Sequence, residues 1–306
     1  MDVTLHVGPH KTGTTAIQQT LVSLLSGCPV EGFAYPKPRD YGPGHAILAW
    51  SILGKHGRPA SMAALDDFLR AELPAGATHA VLSSEEFATT DPVALDVLAQ
   101  ALRPHRVHVV VTLSPVRRRF VAEWQEMVKH GWGLPMARSL KAVRARPGLQ
   151  PGFVPRLLRI LAPERATAIM IDRAEPPEAL YRHFLDVLGL SALVDRLAPN
   201  DTIANASLRE FDIEVLRSFN IAFFGTFKSA EDQDRYMPMR DVLLETFRTQ
   251  RWAGHSKPLS DVMPNTMPDG WQDTVTAVAE QTLTALRILV TKRRMAMVGD
   301  LDLLVT

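Results

Sequence analysis

Four short runs rich in β-branched and other apolar residues constrain the fold of this chain more than any other feature. They lie at Val3 to Val7, Thr78 to Ser83, Arg106 to Leu113 and Thr167 to Ile171. Runs of this kind, separated by segments with helical periodicity, are typical of parallel strands that are buried on both faces. The pattern therefore predicts an α/β fold in which helices flank a parallel sheet.

Helical periodicity recurs along the chain, each time with four apolar residues at positions i, i+4, i+7 and i+8. This spacing places the four side chains on one face of a helix. We expect these helices to cover the sheet. The sets are Ile17, Leu21, Leu24 and Leu25; Phe120, Trp124, Met127 and Val128; and Leu180, Phe184, Val187 and Leu188.

The last third of the chain differs from the rest, because its pattern is mostly helical. Helical stretches over 207–225 and 273–298 flank a segment, Gly254 to Gly270, that is rich in Pro, Asp and Met. Loops longer than about 12–15 residues are usually functional lids or disordered. We therefore predict a mostly helical extension over 201–306, with a lid at 254–270.

Length and composition fit a single globular domain with a large core. The chain has 306 residues, 46% of them hydrophobic, and we predict one domain over 1–306 with an α/β core at 1–200. Its 34 basic and 33 acidic side chains leave a net charge of +1, so no general field attracts nucleic acid or a membrane. Any site for a polyanion must therefore be local.

The sequence predicts a cytoplasmic protein without a metal centre. Residues 1–6 lack the basic and then apolar plan of a signal peptide, and no apolar run approaches the ~18 residues that span a bilayer. Cys28 is the single cysteine, which excludes an intramolecular disulfide and a multi-cysteine metal site. The histidines show no metal-ligand spacing either.

The segment Gly8 to Thr15, GPHKTGTT, joins the first predicted strand to the first predicted helix. Free N–H groups at a helix start, together with the helix dipole, favour an anion. The glycines let the backbone turn and approach a ligand closely, Lys11 adds a positive charge, and the threonine hydroxyls donate further hydrogen bonds. The segment predicts a phosphate-binding loop.

The loop agrees only in part with that of nucleoside triphosphatases. Gly8 and Gly13 have the glycine spacing of that pattern, and Thr15 takes the place of its Ser or Thr. The pattern has Lys directly after the second glycine, where this chain has Thr14, and Lys11 precedes Gly13 instead. A small-molecule kinase with magnesium-dependent phosphoryl transfer stays open as an alternative.

The run His6 to Gln19, HVGPHKTGTTAIQQ, resembles the 5′-phosphosulfate loop of sulfotransferases that use 3′-phosphoadenosine 5′-phosphosulfate (PAPS). It is especially similar to bacterial members, which often read G-x-x-K-T-G-T-T-x-I-Q. The resemblance implies a P-loop-like α/β fold. It also implies transfer of a sulfuryl group from PAPS to a hydroxyl or amine of a glycan or small-molecule acceptor.

The resemblance also assigns roles to single residues. Lys11 would contact the bridging oxygen of the phosphosulfate. His10 is a candidate for contact with phosphate or acceptor by its position in the loop alone, and a surface role for it stays equally open. The residues that would hold the 5′-phosphate through backbone and hydroxyl donors are Thr12, Gly13, Thr14 and Thr15.

The chain departs from the family at the 3′-phosphate site. Relatives usually have an Arg at the end of a strand and a Ser one turn into the next helix, but these positions hold Ser114 and Ala122. An arginine at the start of that helix, Arg117 or Arg119 beside Arg118, can bind a phosphate through two parallel hydrogen bonds. A nucleotide- or anion-binding module without catalysis stays open as a further alternative.

Sulfuryl transfer also needs a base that takes the proton of the acceptor. Glu85 and Glu86 directly follow a predicted strand, and the carboxyl ends of parallel strands form the ligand crevice. Glu85 matches the S-S-E motif of the family, in which a glutamate is the base, although both residues also fit the first turn of a helix. His45 is the rival, because histidine titrates near neutrality.

Overall fold

The chain folds into a parallel sheet with helices on both faces. The computed structural model describes residues 1–25, 30–36, 42–171, 174–176, 178–196, 208–224, 230–249 and 269–305. The strands in these ranges are β1 (Asp2–Val7), β2 (Phe33–Ala34), β3 (His79–Ser83), β4 (Arg106–Leu113), β5 (Arg165–Met170) and β6 (Ala296–Val298). The helices are α1 (Thr14–Leu25), α2 (Ala46–Leu53), α3 (Ala64–Glu72), α4 (Pro92–Leu102), α5 (Val116–Lys129), α6 (Met136–Arg144), α7 (Phe153–Leu161), α8 (Ala179–Leu188), α9 (Glu210–Phe224), α10 (Ala230–Thr249) and α11 (Asp269–Thr291).

The strands form one sheet in the order β2-β3-β1-β4-β5-β6, and every neighbouring pair is parallel. The chain begins in the middle of the sheet, builds toward one edge through β2 and β3, and then crosses to the other side of β1 with β4. His6 lies opposite Ser83 on one side and Val110 on the other, so β1 and β3 end side by side while β4 continues beyond them to Leu113. Open α/β sheets bind ligands where the strand order reverses in this way.

Side chains on the strands alternate between two apolar layers. Leu5, Val109 and Ala168 face the layer formed by α2 to α7, α9 and α11. Val110 and Ile169 face the opposite layer, which α1 and α8 cover. This burial on both faces explains why the strands read as nearly continuous apolar runs.

The face under α1 and α8 also carries buried pairs of histidine and hydroxyl groups. His6 Nδ1 lies 2.8 Å from Ser83 Oγ, and His108 Nε2 lies 2.9 Å from Thr167 Oγ1. Burial lowers the pKa of His6 to about 3 and the pKa of His108 to about 4, so both imidazoles are neutral at pH 7. Hydrogen bonds to hydroxyls make this burial tolerable.

The predicted α/β fold with a parallel sheet and a mostly helical C-terminal part is confirmed. The four predicted strands are present as β1, β3, β4 and β5. The helix predicted over 273–298 is wrong at its end. There α11 stops at Thr291, Arg293 takes a positive φ of 53°, and Ala296–Val298 pairs with β5 as the sixth strand.

Two further elements lie outside the predicted strands and helices. They are the two-residue strand β2 and the helix α10, which carries Pro238 in its interior. Residues 254–268 of the predicted lid lie outside the described residues, and the single-domain assignment over 1–306 stays a prediction. No helix in the described ranges is both long and apolar enough to span a bilayer.

Candidate functional site

The loop between β1 and α1 has an unusual backbone. Lys11 and Gly13 have positive φ angles of 66° and 71°, so the chain is left-handed twice within three residues. Within the part of the chain that the structure describes, the amides of Lys11, Thr12 and Gly13 donate no hydrogen bond. Successive free N–H groups in such a turn, at the start of a helix, form a concave nest that binds anions.

Both glycines of the loop are required by their surroundings. A Cβ on Gly8 would lie 2.6 Å from Thr112 Oγ1 and 2.9 Å from the hydroxyls of Thr12 and Thr14. A Cβ on Gly13 would overlap the side chain of Leu180 on α8, at a φ that side chains rarely adopt. The loop therefore lies tightly between the sheet and two helices.

A buried hydrogen-bond network supports the loop from beneath. Thr12 Oγ1 donates to the carbonyl of Pro9 at 2.7 Å and lies 2.9 Å from Thr112 Oγ1. Thr112 Oγ1 in turn lies 3.2 Å from His6 Nε2. The hydroxyl of Thr12 is thus used within the loop, whereas its amide donates no hydrogen bond to the described residues. Thr14 and Thr15 occupy the first turn of α1, buried and half-buried respectively.

The Lys11 ammonium forms an ion pair with the helix that follows β4. Its Nζ lies 2.6 Å from Glu126 Oε2 on α5, and both side chains are half-buried. Glu126 also accepts a hydrogen bond from His130 at 3.2 Å and lies 3.6 Å from Lys129. Partial burial alone would raise the pKa of the Glu126 carboxyl, but His130, Lys11 and Lys129 together hold it well below its usual range. Glu126 is therefore ionised at pH 7.

Arg119 and Ser114 are buried without a partner in the described ranges. The Arg119 side chain is 1% exposed, and its Nε and Nη2 contact no acceptor there; the Ser114 hydroxyl is likewise buried and unpaired. Arg119 lies against Gly148, where a Cβ would come 2.5 Å from Nη2, and Gly148 also contacts Pro9 of the loop. Burial lowers the pKa of Arg119 to about 10, with Glu123 opposing, so it is charged at pH 7. Buried guanidinium groups normally meet an acceptor, so this one fits an anion.

The rest of α5 adds charges of both signs. Glu123 is buried and lies 3.7 Å from Arg146 Nε. Burial raises the pKa of its carboxyl, although His10, Arg119, Arg146 and Lys11 act in the opposite direction. The predicted positions Arg117, Arg118 and Ala122 are half-buried on the same helix, whereas His10 is exposed on the loop.

Glu85 lies at the carboxyl end of β3, in a short 3₁₀ turn. Its Oε2 accepts a hydrogen bond from Gln18 Nε2 on α1 at 3.3 Å, and Oε1 accepts none from the described residues. Glu86 is instead held by Lys55, whose ammonium donates to its carboxylate at 3.1 Å and to its carbonyl at 2.9 Å. Burial acts to raise the pKa of Glu86, but the Lys55 charge prevails and lowers it. Of the two glutamates, Glu85 has the freer carboxylate.

The base role that we predicted for His45 does not fit the geometry. Its Nδ1 accepts the amide of Ser83 at 3.1 Å, and its Nε2 lies 2.9 Å from the carbonyl of Pro36 and so carries the proton. The side chain is 2% exposed, and burial lowers its pKa to about 4. His45 therefore connects the segment before α2 to the end of β3 through hydrogen bonds. Neither ring nitrogen is left to take a proton from a substrate.

Three residues of this site were not among the predicted site residues. Gln18, which ends the family pattern quoted above, donates to Glu85; Thr112 supports the loop; and Glu126 pairs with Lys11. For Glu126 the available signal was the spacing of Arg119, Glu123 and Glu126 on one face of α5, beside the apolar face. In the described residues no group of three or more His, Cys, Asp or Glu is placed to hold a metal ion.

Comparisons with known proteins provide no assignment. No protein-family model matches the chain, and no curated protein matches it significantly. A functional assignment therefore depends on the geometry of the site and on the loop motif.

Proposed function

We propose that this protein is a sulfotransferase that moves a sulfuryl group from PAPS to a hydroxyl or amine of a small-molecule or glycan acceptor. The observation that carries the proposal is the nest of free amides at Lys11, Thr12 and Gly13, at the point where the strand order reverses. The likeness of the run His6 to Gln19 to the sulfotransferase loop supports the choice of PAPS over other anions.

The donor would be held at two places. The 5′-phosphosulfate fits the nest and the first turn of α1, where N–H groups and the helix dipole favour negative charge. The 3′-phosphate fits Arg119 and Ser114, which are buried and lack an acceptor in the described part of the chain. A guanidinium and a hydroxyl can together replace the Arg and Ser that the family has at other positions.

Glu85 is the group that we assign to the acceptor. It takes the proton from the acceptor hydroxyl or amine as the oxygen or nitrogen attacks sulfur. The bond between sulfur and the bridging phosphate oxygen breaks, and that oxygen leaves with the electron pair. Lys11 and the amides of the nest then stabilise the charge that develops on the leaving phosphate.

Calorimetry with adenosine 3′,5′-bisphosphate, the product that sulfuryl transfer leaves, tests the proposal. We expect saturable binding to the folded protein that weakens in Lys11→Ala and in Arg119→Met. Glu214→Gln, which removes a carboxylate from an ion pair with Arg217 on α9, is the control and should bind like the wild type. If the folded wild-type protein gives no heat of binding at millimolar nucleotide, the proposal that it uses PAPS is refuted.

Two alternatives have specific observations in their favour. Ser114 and Ala122 in place of the usual Arg and Ser favour a nucleotide-binding module that has lost catalysis. The spacing of Gly8 and Gly13 favours a small-molecule kinase, which would hydrolyse ATP in the presence of magnesium. Binding of the bisphosphate without any sulfuryl transfer, unchanged by Glu85→Gln, would support the first alternative, and magnesium-dependent ATP turnover the second.

A further inference from the structure

The ammonium of Lys11, which the proposed function assigns to the leaving phosphate, is already occupied in this structure. Its Nζ forms an ion pair with Glu126 on α5, 2.6 Å from Oε2. A dianion that enters the nest must therefore draw Lys11 away from a carboxylate, or share the ammonium with it. Competition of this kind affects both the affinity of the site and the rate at which a product leaves.

The surroundings of Glu126 make it a persistent competitor. It stays ionised, because His130, Lys11 and Lys129 hold its pKa well below its usual range. It also belongs to a helix whose opposite side is fixed in the core through Phe120 and Trp124, so the carboxylate cannot move far from the loop. Lys129 and His130 remain as partners for Glu126 when Lys11 leaves, so the exchange exposes no isolated charge.

The backbone of Lys11 adds a second reason. A non-glycine residue at φ 66° is held by its context, so the backbone of Lys11 does not readily rearrange to follow a ligand. Among the described residues, the carboxylate that pairs with the Lys11 ammonium is that of Glu126. A ligand in the nest must therefore compete with Glu126 for the ammonium while the backbone stays in place.

We propose that Glu126 is a positioning residue that holds the Lys11 ammonium between turnovers and takes it back when the nucleotide product departs. The inference rests on the proposed function, since it assumes that the nest binds a phosphate. Glu126 weakens ground-state binding of the product and thereby speeds its release. Removing its charge should leave the site with tighter binding and slower dissociation.

Titration of the full-length protein with adenosine 3′,5′-bisphosphate, and separately with inorganic pyrophosphate, tests this role. We expect Glu126→Gln to bind both probes about tenfold more tightly than the wild type at low salt, and the difference to shrink at high salt. The gain should come mainly from slower dissociation. Glu126→Asp, which restores the charge, should return affinity toward the wild-type value, and Glu214→Gln should leave it unchanged.

A double-mutant cycle shows whether Glu126 acts through Lys11. In the Lys11→Ala background, Glu126→Gln should give a clearly smaller gain, because no ammonium remains to be released. A full tenfold gain in that background would overturn the positioning role, since Glu126 would then act by direct repulsion alone.

The outcomes separate the two proposals. Equal or weaker binding by Glu126→Gln, with a wild type that binds, overturns this inference and leaves the proposed function in place. Binding by Glu126→Gln alone, with a wild type that shows no heat at millimolar nucleotide, refutes the proposed function and this inference with it. If neither protein binds either probe while both are folded, the anion site itself is refuted.

Discussion

Lowering the pH from 7 to 5 should destabilise this protein far more than its net charge suggests. His6, His45 and His108 are buried. Both ring nitrogens of His6 and of His45 take part in hydrogen bonds, as does Nε2 of His108. Burial lowers their pKa values from 6.5 to about 3, 4 and 4. In the unfolded chain the same side chains titrate near 6.5. Between pH 7 and 5 the unfolded state therefore binds protons that the folded state does not bind.

The size of the effect follows from the gap between these pKa values. For each group, the free energy of unfolding falls by about 1.4 kcal/mol for every pH unit below the pKa in the unfolded chain, until the pKa in the folded protein is reached. At pH 5 the three imidazoles are still neutral in the folded protein, and each has lowered the free energy of unfolding by about 2 kcal/mol relative to pH 7. The sum, about 6 kcal/mol, is comparable to the whole stability of many domains. Glu123, whose pKa is raised, acts in the opposite direction, whereas Glu86 and Glu126 lose their contribution only at lower pH.

Urea denaturation at pH 7, 6 and 5 measures this loss directly. The free energy of unfolding should fall mainly below pH 6.5, and His108→Asn, which keeps a polar side chain near Thr167 but cannot titrate, should lose about one third less between pH 7 and 5. His108 lies near the start of β4, at the end of the strand that is remote from the phosphate loop. The comparison therefore does not depend on the proposed function. A stability that changes by less than about 1 kcal/mol over this range would refute the reasoning.

Three further substitutions test the packing of the site. Gly13→Ala should cost at least about 1 kcal/mol more than Gly57→Ala in thermal unfolding, because both have positive φ but only Gly13 contacts a side chain, Leu180. Arg119→Met should leave the melting temperature unchanged or raise it while bisphosphate binding falls, because it removes a buried charge that lacks a partner in the described residues. Thr112→Val should lower the free energy of unfolding by about 1–3 kcal/mol in urea, because His6 and Thr12 lose their shared hydroxyl partner.

The fold was predictable where burial on both faces leaves a pattern in the sequence. The four central strands and the helices α1, α5 and α8 follow from runs and spacings of apolar residues. The edge strands β2 and β6 are only two and three residues long, too short for such a pattern. At 296–298 the local sequence continues a helical spacing, and pairing with β5 prevails over that local preference.

The site was predictable only where its residues are contiguous. The residues of the loop from Gly8 to Thr15 are consecutive, so a single segment is enough to predict a phosphate-binding loop. Glu85 could be proposed because it directly follows a predicted strand. Glu126 lies more than one hundred residues after Lys11, and only the packing of α5 against the loop brings them together. The burial of Arg119 was also not predictable, because three consecutive arginines are usually a solvated helix surface.

The proposed anion site does not depend on the net charge of the chain, which is only +1. Lys11 is matched by Glu126 and Arg146 by Glu123, so these pairs contribute little field at a distance. What remains for a ligand is the nest of amides and the buried Arg119, which act only at short range and in a fixed geometry. Selectivity at such a site follows from the number of donors that an anion can reach at once, and not from attraction to a positive surface. A ligand with two separated phosphates therefore gains from both places, whereas a single small anion gains from one.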